Sequence, residues 1–300
     1  MVTPKRKVQR RKQKLVTVIG TNYVEHLVPG FLKRGFEIYC KKDFAKKAFQ
    51  VSVLENTYAT AGVVLTVLGI EAYRNRIYYL EKQKVGKNLA RDISTAFKNK
   101  SPSFLDQEFE KLLTEVFILR DVIVHNHIYE VEVFTDSAWE MLGHRQKLLE
   151  GYGDKRKRFG GFVTERTRKT KSLGFNVQPA KVGFEDLFTL LVIYDLFIGI
   201  SNKLFPNSYV PFHFSRKLNG SWINNLSVYL SYFYNQIPSE KFIRRFRGIR
   251  KRLGGFEALL PDYGDYFLSN TCPKCKELGF HQPKRITRCD KCGFEIKLAK

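Results

Sequence analysis

The chain has 300 residues, 43% of them apolar and 27% charged, which excludes a peptide, a disulfide miniprotein and a wholly disordered chain. Its 52 Lys and Arg against 29 Asp and Glu give a formal charge of +23, an excess that points to a polyanionic partner. Residues 1–14, 155–171, 240–255 and 272–300 together carry +25, leaving −2 for the other 224 residues. Concentrated basic segments on a near-neutral body favour contact with phosphates over a general solubility role.

In chain order, residues 1–14 read as a disordered basic arm, and Leu15–Ile19 has the character of a short strand. Phe44, Ala48, Val51, Leu54 and Tyr58 fall at spacings of three and four, which predicts a helix from Asp43. A long helix follows over Ala59–Gln83, with Gly86 at its end, and Pro102-Ser103 opens another whose apolar side runs from Phe104 to Leu119. Val122–Phe134 is β-branched and reads as a strand by local propensity. Residues 151–183, glycine-bearing and basic, read as an exposed irregular insertion with a hairpin near Lys169–Gly174. Phe184–Leu204 and Ser221–Gln236 are expected as buried helices.

Lys241–Leu253 has two unlike faces. Phe242, Phe246, Ile249 and Leu253 recur at helical spacing, and Arg244, Arg245, Arg247, Arg250, Lys251 and Arg252 take the remainder. The apolar stripe docks on a core and the cations are offered to RNA. Residues 256–267 make a linker to the tail. The apolar runs Ala59–Ile70 and Leu187–Ile200 are shorter than the roughly 20 residues of a membrane span, and Glu71 and Asp195 interrupt or end them. A soluble, cytoplasmic chain without a membrane partner is expected.

Cys272-x2-Cys275 and Cys289-x2-Cys292 are two knuckles of the kind that place paired thiolates on one zinc ion. Residues 268–300 resemble a small β zinc ribbon. Four sulfurs close the tetrahedron and leave no site for water, so the Zn2+ is structural. Lys284, Arg285 and Arg288 make the ribbon basic and suited to nucleic acid, as Arg156, Arg158 and Lys169 do the insertion. Cys40, the fifth cysteine, sits beside Lys41 and Lys42, neighbours that can lower a thiol pKa.

The segment Leu119-Arg120-Asp121-Val122-Ile123-Val124-His125-Asn126 carries an arginine, four intervening residues and a histidine. It resembles the Arg–His motif of the HEPN superfamily, and Ala61–Tyr79, with Glu71 and Asn75, resembles that family's early long helix, which often carries an acidic residue. The resemblance covers roughly residues 44–205 and implies a mainly α protein. Residues 15–255 would form a HEPN-like helical bundle, interrupted by the basic insertion and followed by the ribbon. It further implies a homodimer and metal-independent RNA cleavage, with toxins and defence effectors among the family's members. Histidine titrates near neutrality and can move the protons of such a reaction, while arginine offers a planar fork to phosphate. His125 is therefore the expected proton shuttle and Arg120 the phosphate clamp. Asn126 orients the imidazole, and Glu71 is the family's acidic residue. The competing expectation is a non-catalytic nucleic-acid-binding or scaffold protein, its helical domain dimerising and its ribbon binding RNA, with DNA as the alternative ligand. Walker and Gly-x-Ser-x-Gly motifs are missing from the sequence.

Overall fold

The computed structural model describes residues 27–44, 51–84, 86–125, 160–164, 166–205, 226–260 and 263, together with the backbone of strands at 129–135, 141–148, 216–218, 221–223, 280–281, 286–289 and 295–297. The expected basic arm, the strand at Leu15–Ile19 and part of the helix expected from Asp43 lie outside these residues. The chain is mainly α. Among the described residues its named helices are α1 (Val28–Tyr39), α2 (Val53–Leu80), α3 (Leu89–Lys100), α4 (Asp106–His125), α5 (Phe184–Leu204), α6 (Leu226–Tyr234) and α7 (Glu240–Arg252).

Local chemistry sets several of the helix starts. Ser52, Asn88 and Ser239 each accept a hydrogen bond, at 3.2 Å, from the backbone N–H three residues on, that of Glu55, Arg91 and Phe242 respectively. Helix α2 stops at Leu80, and Lys82, not Gly86, takes the left-handed conformation beyond it, with φ +52°. Helix α5 is buried on nearly every side, from Phe184 and Leu187 to Phe197 and Ile200, and forms the spine of one large core. Helices α1 and α2 both pack against it. Gly62 permits the α2–α5 approach, since a Cβ there would lie 2.7 Å from Leu187 Cδ2. Phe97 joins α3 to α4 and α5, stacking on Phe109 at 5.4 Å and on Phe197 at 5.9 Å between centroids. Both α2 and α5 are long and apolar enough, by length and composition, to cross a bilayer. In the fold they are the packed centre, and α2 carries buried Glu55 and Arg74.

Several expectations change on contact with tertiary structure. The Val122–Phe134 strand divides in two: α4 continues through His125, because Val122 is fully buried beside Ile118, Val163 and Val177, and the strand begins only at Tyr129. That strand, β1 (Tyr129–Thr135), pairs antiparallel with β2 (Met141–Leu148). Ser221–Ile223 is not helical; it is strand β6, paired with β5 (Arg216–Leu218) across Asn219-Gly220, a two-residue hairpin signal. The linker expected at 256–267 is core at three of its positions, since Phe256, Leu260 and Tyr263 are buried. At the C-terminus β7 (Phe280–His281), β8 (Ile286–Cys289) and β9 (Glu295–Lys297) form one antiparallel sheet in that order.

The largest correction concerns residues 160–183, expected as an exposed insertion. Strands β3 (Val163–Thr164) and β4 (Lys169–Thr170) form a hairpin that precedes the one expected near Lys169–Gly174; there Lys169 makes an antiparallel bridge with Asn176, and Gly174 turns the chain with φ +68°. Yet Val163, Leu173, Phe175, Val177 and Val182 are all buried. Buried carboxylates hold this segment. Glu115 on α4, wholly inaccessible, accepts from the backbone N–H of Ser172 at 2.8 Å and of Leu173 at 2.7 Å. Asp186 accepts from the Asn176 N–H at 2.9 Å, its Nδ2 at 2.8 Å and the Gly183 N–H at 3.0 Å. Glu55 accepts from the Phe184 N–H at 3.0 Å and ion-pairs with Lys42.

Glu115→Ala is expected to cost about 2–4 kcal/mol in urea unfolding, because two buried amides lose a charged acceptor together. A loss of only a few tenths would contradict the clamp. A second expectation is pH-dependent. Burial pushes the Asp195 carboxyl above its ordinary 3.8, against hydrogen bonds from Ser227 Oγ at 2.6 Å and Tyr263 Oη at 2.9 Å. The folded chain then holds that proton more tightly than the unfolded one. Its contribution to stability is present below the ordinary value and is lost as pH rises through the folded value. Asp195→Asn keeps an acceptor oxygen and should flatten the urea midpoint between about pH 4 and neutrality; an unchanged pH profile would contradict this.

Candidate functional site

Helices α2 and α4 pack together and bring Glu71 to Arg120. The Arg120 guanidinium is held on two sides. Nη1 ion-pairs with Glu71 Oε1, Nε donates to Asp121 Oδ1 at 2.9 Å, and Nη2 lies 2.7 Å from the same oxygen. Its Cζ lies 5.6 Å from the Phe117 ring centroid. The side chains of Arg120 and Glu71 are 19% and 22% exposed, so the pair is neither sealed in the core nor freely solvated. Among the described residues, three of the five N–H donors of Arg120 are engaged and two are not. Two carboxylates against one guanidinium leave the group with a formal charge of −1 when all three are ionised.

His125 is exposed in the last turn of α4. It stands four residues after Asp121 and so shares its face. It stands five after Arg120, which turns it about 140° around the helix from that residue. The structure thus joins Glu71 to Arg120, adds Asp121 as a second carboxylate, and sets His125 at the rim. Asn126 lies outside the described residues. In place of a clamp whose whole fork is open, the geometry gives an arginine that ties α2 to α4 and keeps a partial donor capacity.

The basic residues separate into groups. Arg244 and Arg247 are exposed on α7 and, with Lys251, form a stripe at helical spacing, while Phe242, Phe246, Ile249 and Leu253 are buried as the two-faced pattern predicts. Arg250 is half-buried, its Nη2 3.5 Å from the Leu260 carbonyl oxygen. Lys169 and Arg245 are half-buried, and both line a cavity of about 790 Å³ between the β4 segment, the start of α5 and α7. Sequence reasoning missed that cavity. A usable signal was the Glu185-Asp186 pair following Gly183, an acidic helix start close in sequence to the basic segment that ends at Lys171. Cys40 is exposed just past α1, and the partial desolvation it has there pushes its thiol up to about 11, opposite to the lowering its lysine neighbours can produce.

Arg156, Arg158, Lys284, Arg285, Cys272, Cys275 and Cys292 lie outside the described residues. Arg288 and Cys289 are placed by their backbone in β8, where Cys289 pairs with Phe280. Among the described residues no group of three or more His, Cys, Asp or Glu side chains is arranged to hold a metal.

Arg120→Met is expected to lower stability by about 1–3 kcal/mol, because Glu71 and Asp121 then face one another without their cation. Combined with Glu71→Gln, the double-mutant cycle should return a coupling of at least about 0.5 kcal/mol. Strict additivity would show that the pair does not join the helices.

Compared with known proteins, the chain matches no family model, no curated protein and no solved structure.

Proposed function

We propose that the chain is a metal-independent endoribonuclease of HEPN type. The observation that carries this reading is the Glu71–Arg120 pair, which joins the long helix α2 to the Arg–His helix in the order the resemblance implies. In the proposed reaction the 2′-oxygen of a ribose attacks the adjacent phosphorus and the bond to the 5′-oxygen breaks, leaving a 2′,3′-cyclic phosphate and a 5′-hydroxyl. One imidazole removes the 2′-hydroxyl proton and an imidazolium protonates the departing oxygen. His125, exposed at the end of α4, supplies this chemistry, and a second copy of the chain supplies the second imidazole in a homodimer. Arg120, positioned by Glu71 and Asp121, turns its two remaining N–H donors to the phosphorus oxygens.

RNA is brought to the site by the exposed stripe of Arg244, Arg247 and Lys251 and by a C-terminal ribbon folded around one structural Zn2+. The three-stranded sheet of residues 280–297 supports that ribbon, since it places β strands around the second cysteine pair. The protein acts in the cytoplasm and away from membranes. A second reading is favoured by one observation, the formal neutralisation of Arg120 by two carboxylates. In that reading the helical domain only dimerises, and the ribbon binds nucleic acid, RNA or DNA, without cutting it.

His125→Ala is expected to reduce cleavage of labelled RNA by about 10²-fold or more with unchanged thermal melting and zinc content. Cleavage should persist on brief exposure to EDTA. Full activity of His125→Ala would contradict the nuclease reading, and the absence of cleavage by the wild-type protein, with RNA binding intact, would establish the second. Binding should weaken with salt, with a log–log slope of roughly −4 if about six phosphates of a single strand are neutralised.

A further inference from the structure

The cavity beside α7 gathers charge that the chain itself leaves unmatched. Five cations line it, Lys42, Lys169, Lys181, Lys241 and Arg245, against three carboxylates, Glu55, Glu185 and Asp186. Every carboxylate is occupied. Glu55 takes Lys42 and the Phe184 amide, and Asp186 takes Asn176 and the Gly183 amide. Glu185 accepts from Tyr39 Oη at 2.8 Å and pairs with Arg245 Nη1 at 2.9 Å. The Gly183 and Phe184 amides at the start of α5 are therefore already taken by this protein's own acids.

The cations are not matched in the same way. Lys169, Lys181 and Lys241 make no ion pair among the described residues. Arg245 Nε is buried without a hydrogen-bond partner, its guanidinium lying over the Phe242 ring at 5.1 Å. Burial, then the nearby Arg245, pulls the Lys169 ammonium below the ordinary lysine range, with Lys241 acting in the same direction and Asp186 and Glu185 opposing. A desolvated, unpaired cation beside two others costs stability unless an anion answers it. Two of the four basic segments of the sequence, 155–171 and 240–255, meet here although some 70 residues part them.

We propose that this cavity binds a phosphomonoester of nucleotide size, its phosphate among Lys169, Lys241 and Arg245. The formal balance of +2 matches a phosphomonoester, which carries about −1.5 to −2 at neutral pH. The volume of about 790 Å³ falls in the range of small-ligand sites and far exceeds one phosphate group. Val51, Val53 and Ala180 supply apolar wall for the organic part. The site shares no residue with Glu71, Arg120 and His125, so it stands whether or not the chain cuts RNA. The same phosphate chemistry comes from a free nucleotide or from the 5′-phosphorylated end of an RNA.

The test uses the full chain with AMP and adenosine as probes, in calorimetry and thermal melting. AMP is expected to bind saturably and raise the melting temperature, and adenosine to do neither. Lys169→Met should melt higher than wild type without ligand, because the unpaired charge is gone, and should lose AMP affinity by at least about tenfold. Lys241→Ala, at an exposed position, should weaken AMP binding without altering the fold seen by circular dichroism. Equal responses to AMP and adenosine, no binding of either AMP or a 5′-phosphorylated pentaribonucleotide, or AMP affinity within twofold of wild type in Lys169→Met would each overturn the proposal. A 5′-phosphorylated pentaribonucleotide that binds at least tenfold tighter than AMP and its own 5′-hydroxyl form assigns the site to RNA ends. AMP binding as tightly or more tightly assigns it to free nucleotides.

Discussion

Buried carboxylates that accept backbone amides organise this fold. Glu55, Glu115 and Asp186 sit on three different helices, and each is almost wholly inaccessible. Between them they receive the N–H groups of Ser172, Leu173, Asn176, Gly183 and Phe184. A segment with little secondary structure of its own must find partners for its amides or remain near water. Here the acids provide them, and Phe175, Val177 and Val182 can then be buried against the helical core. The cost of placing charge in the interior is offset by charge-assisted hydrogen bonds, and for Glu55 also by Lys42.

That arrangement also decides where cations can go. Holding residues 169–183 against α5 and α7 brings Lys169 and Arg245 into one cavity instead of leaving both on an open surface. The chain's positive charge therefore has two structural roles. The stripe of Arg244, Arg247 and Lys251 stays exposed and suits an extended polyanion, whereas the group gathered at the cavity suits a compact one. The α2–α4 pair follows a third logic, in which Arg120 is shared between Glu71 and Asp121 and His125 is left at the helix end.

Much of the helical architecture was legible in the residues. Helix α5 is read to its end residues because a long apolar run bounded by Gly183 and Pro206 has no competing interpretation, and α7 because its two faces differ so sharply. Helix α1 went unread since Gly30 and Gly35 weaken its local signal, although Val28, Leu32, Phe36 and Tyr39 keep the spacing. Helix α3 went unread for its polar composition, despite the Asn88 cap. The β-branched run after Asp121 misled because burial of Val122 outweighs propensity. For the site, the Arg–His spacing identified residues on one helix, and the pairing of Arg120 with Glu71 comes from the packing of α2 on α4. The diversion of Lys169 and Arg245 into a cavity was invisible, because it depends on amides from one segment meeting acids that are distant in sequence.

The most direct test of this account is amide hydrogen exchange in the native chain. If buried acids make residues 172–184 part of the core, the amides of Ser172, Leu173, Asn176, Gly183 and Phe184 should exchange with opening free energies close to those of α5. Exchange of these five at the rates of exposed loops, while α5 remains protected, would contradict it.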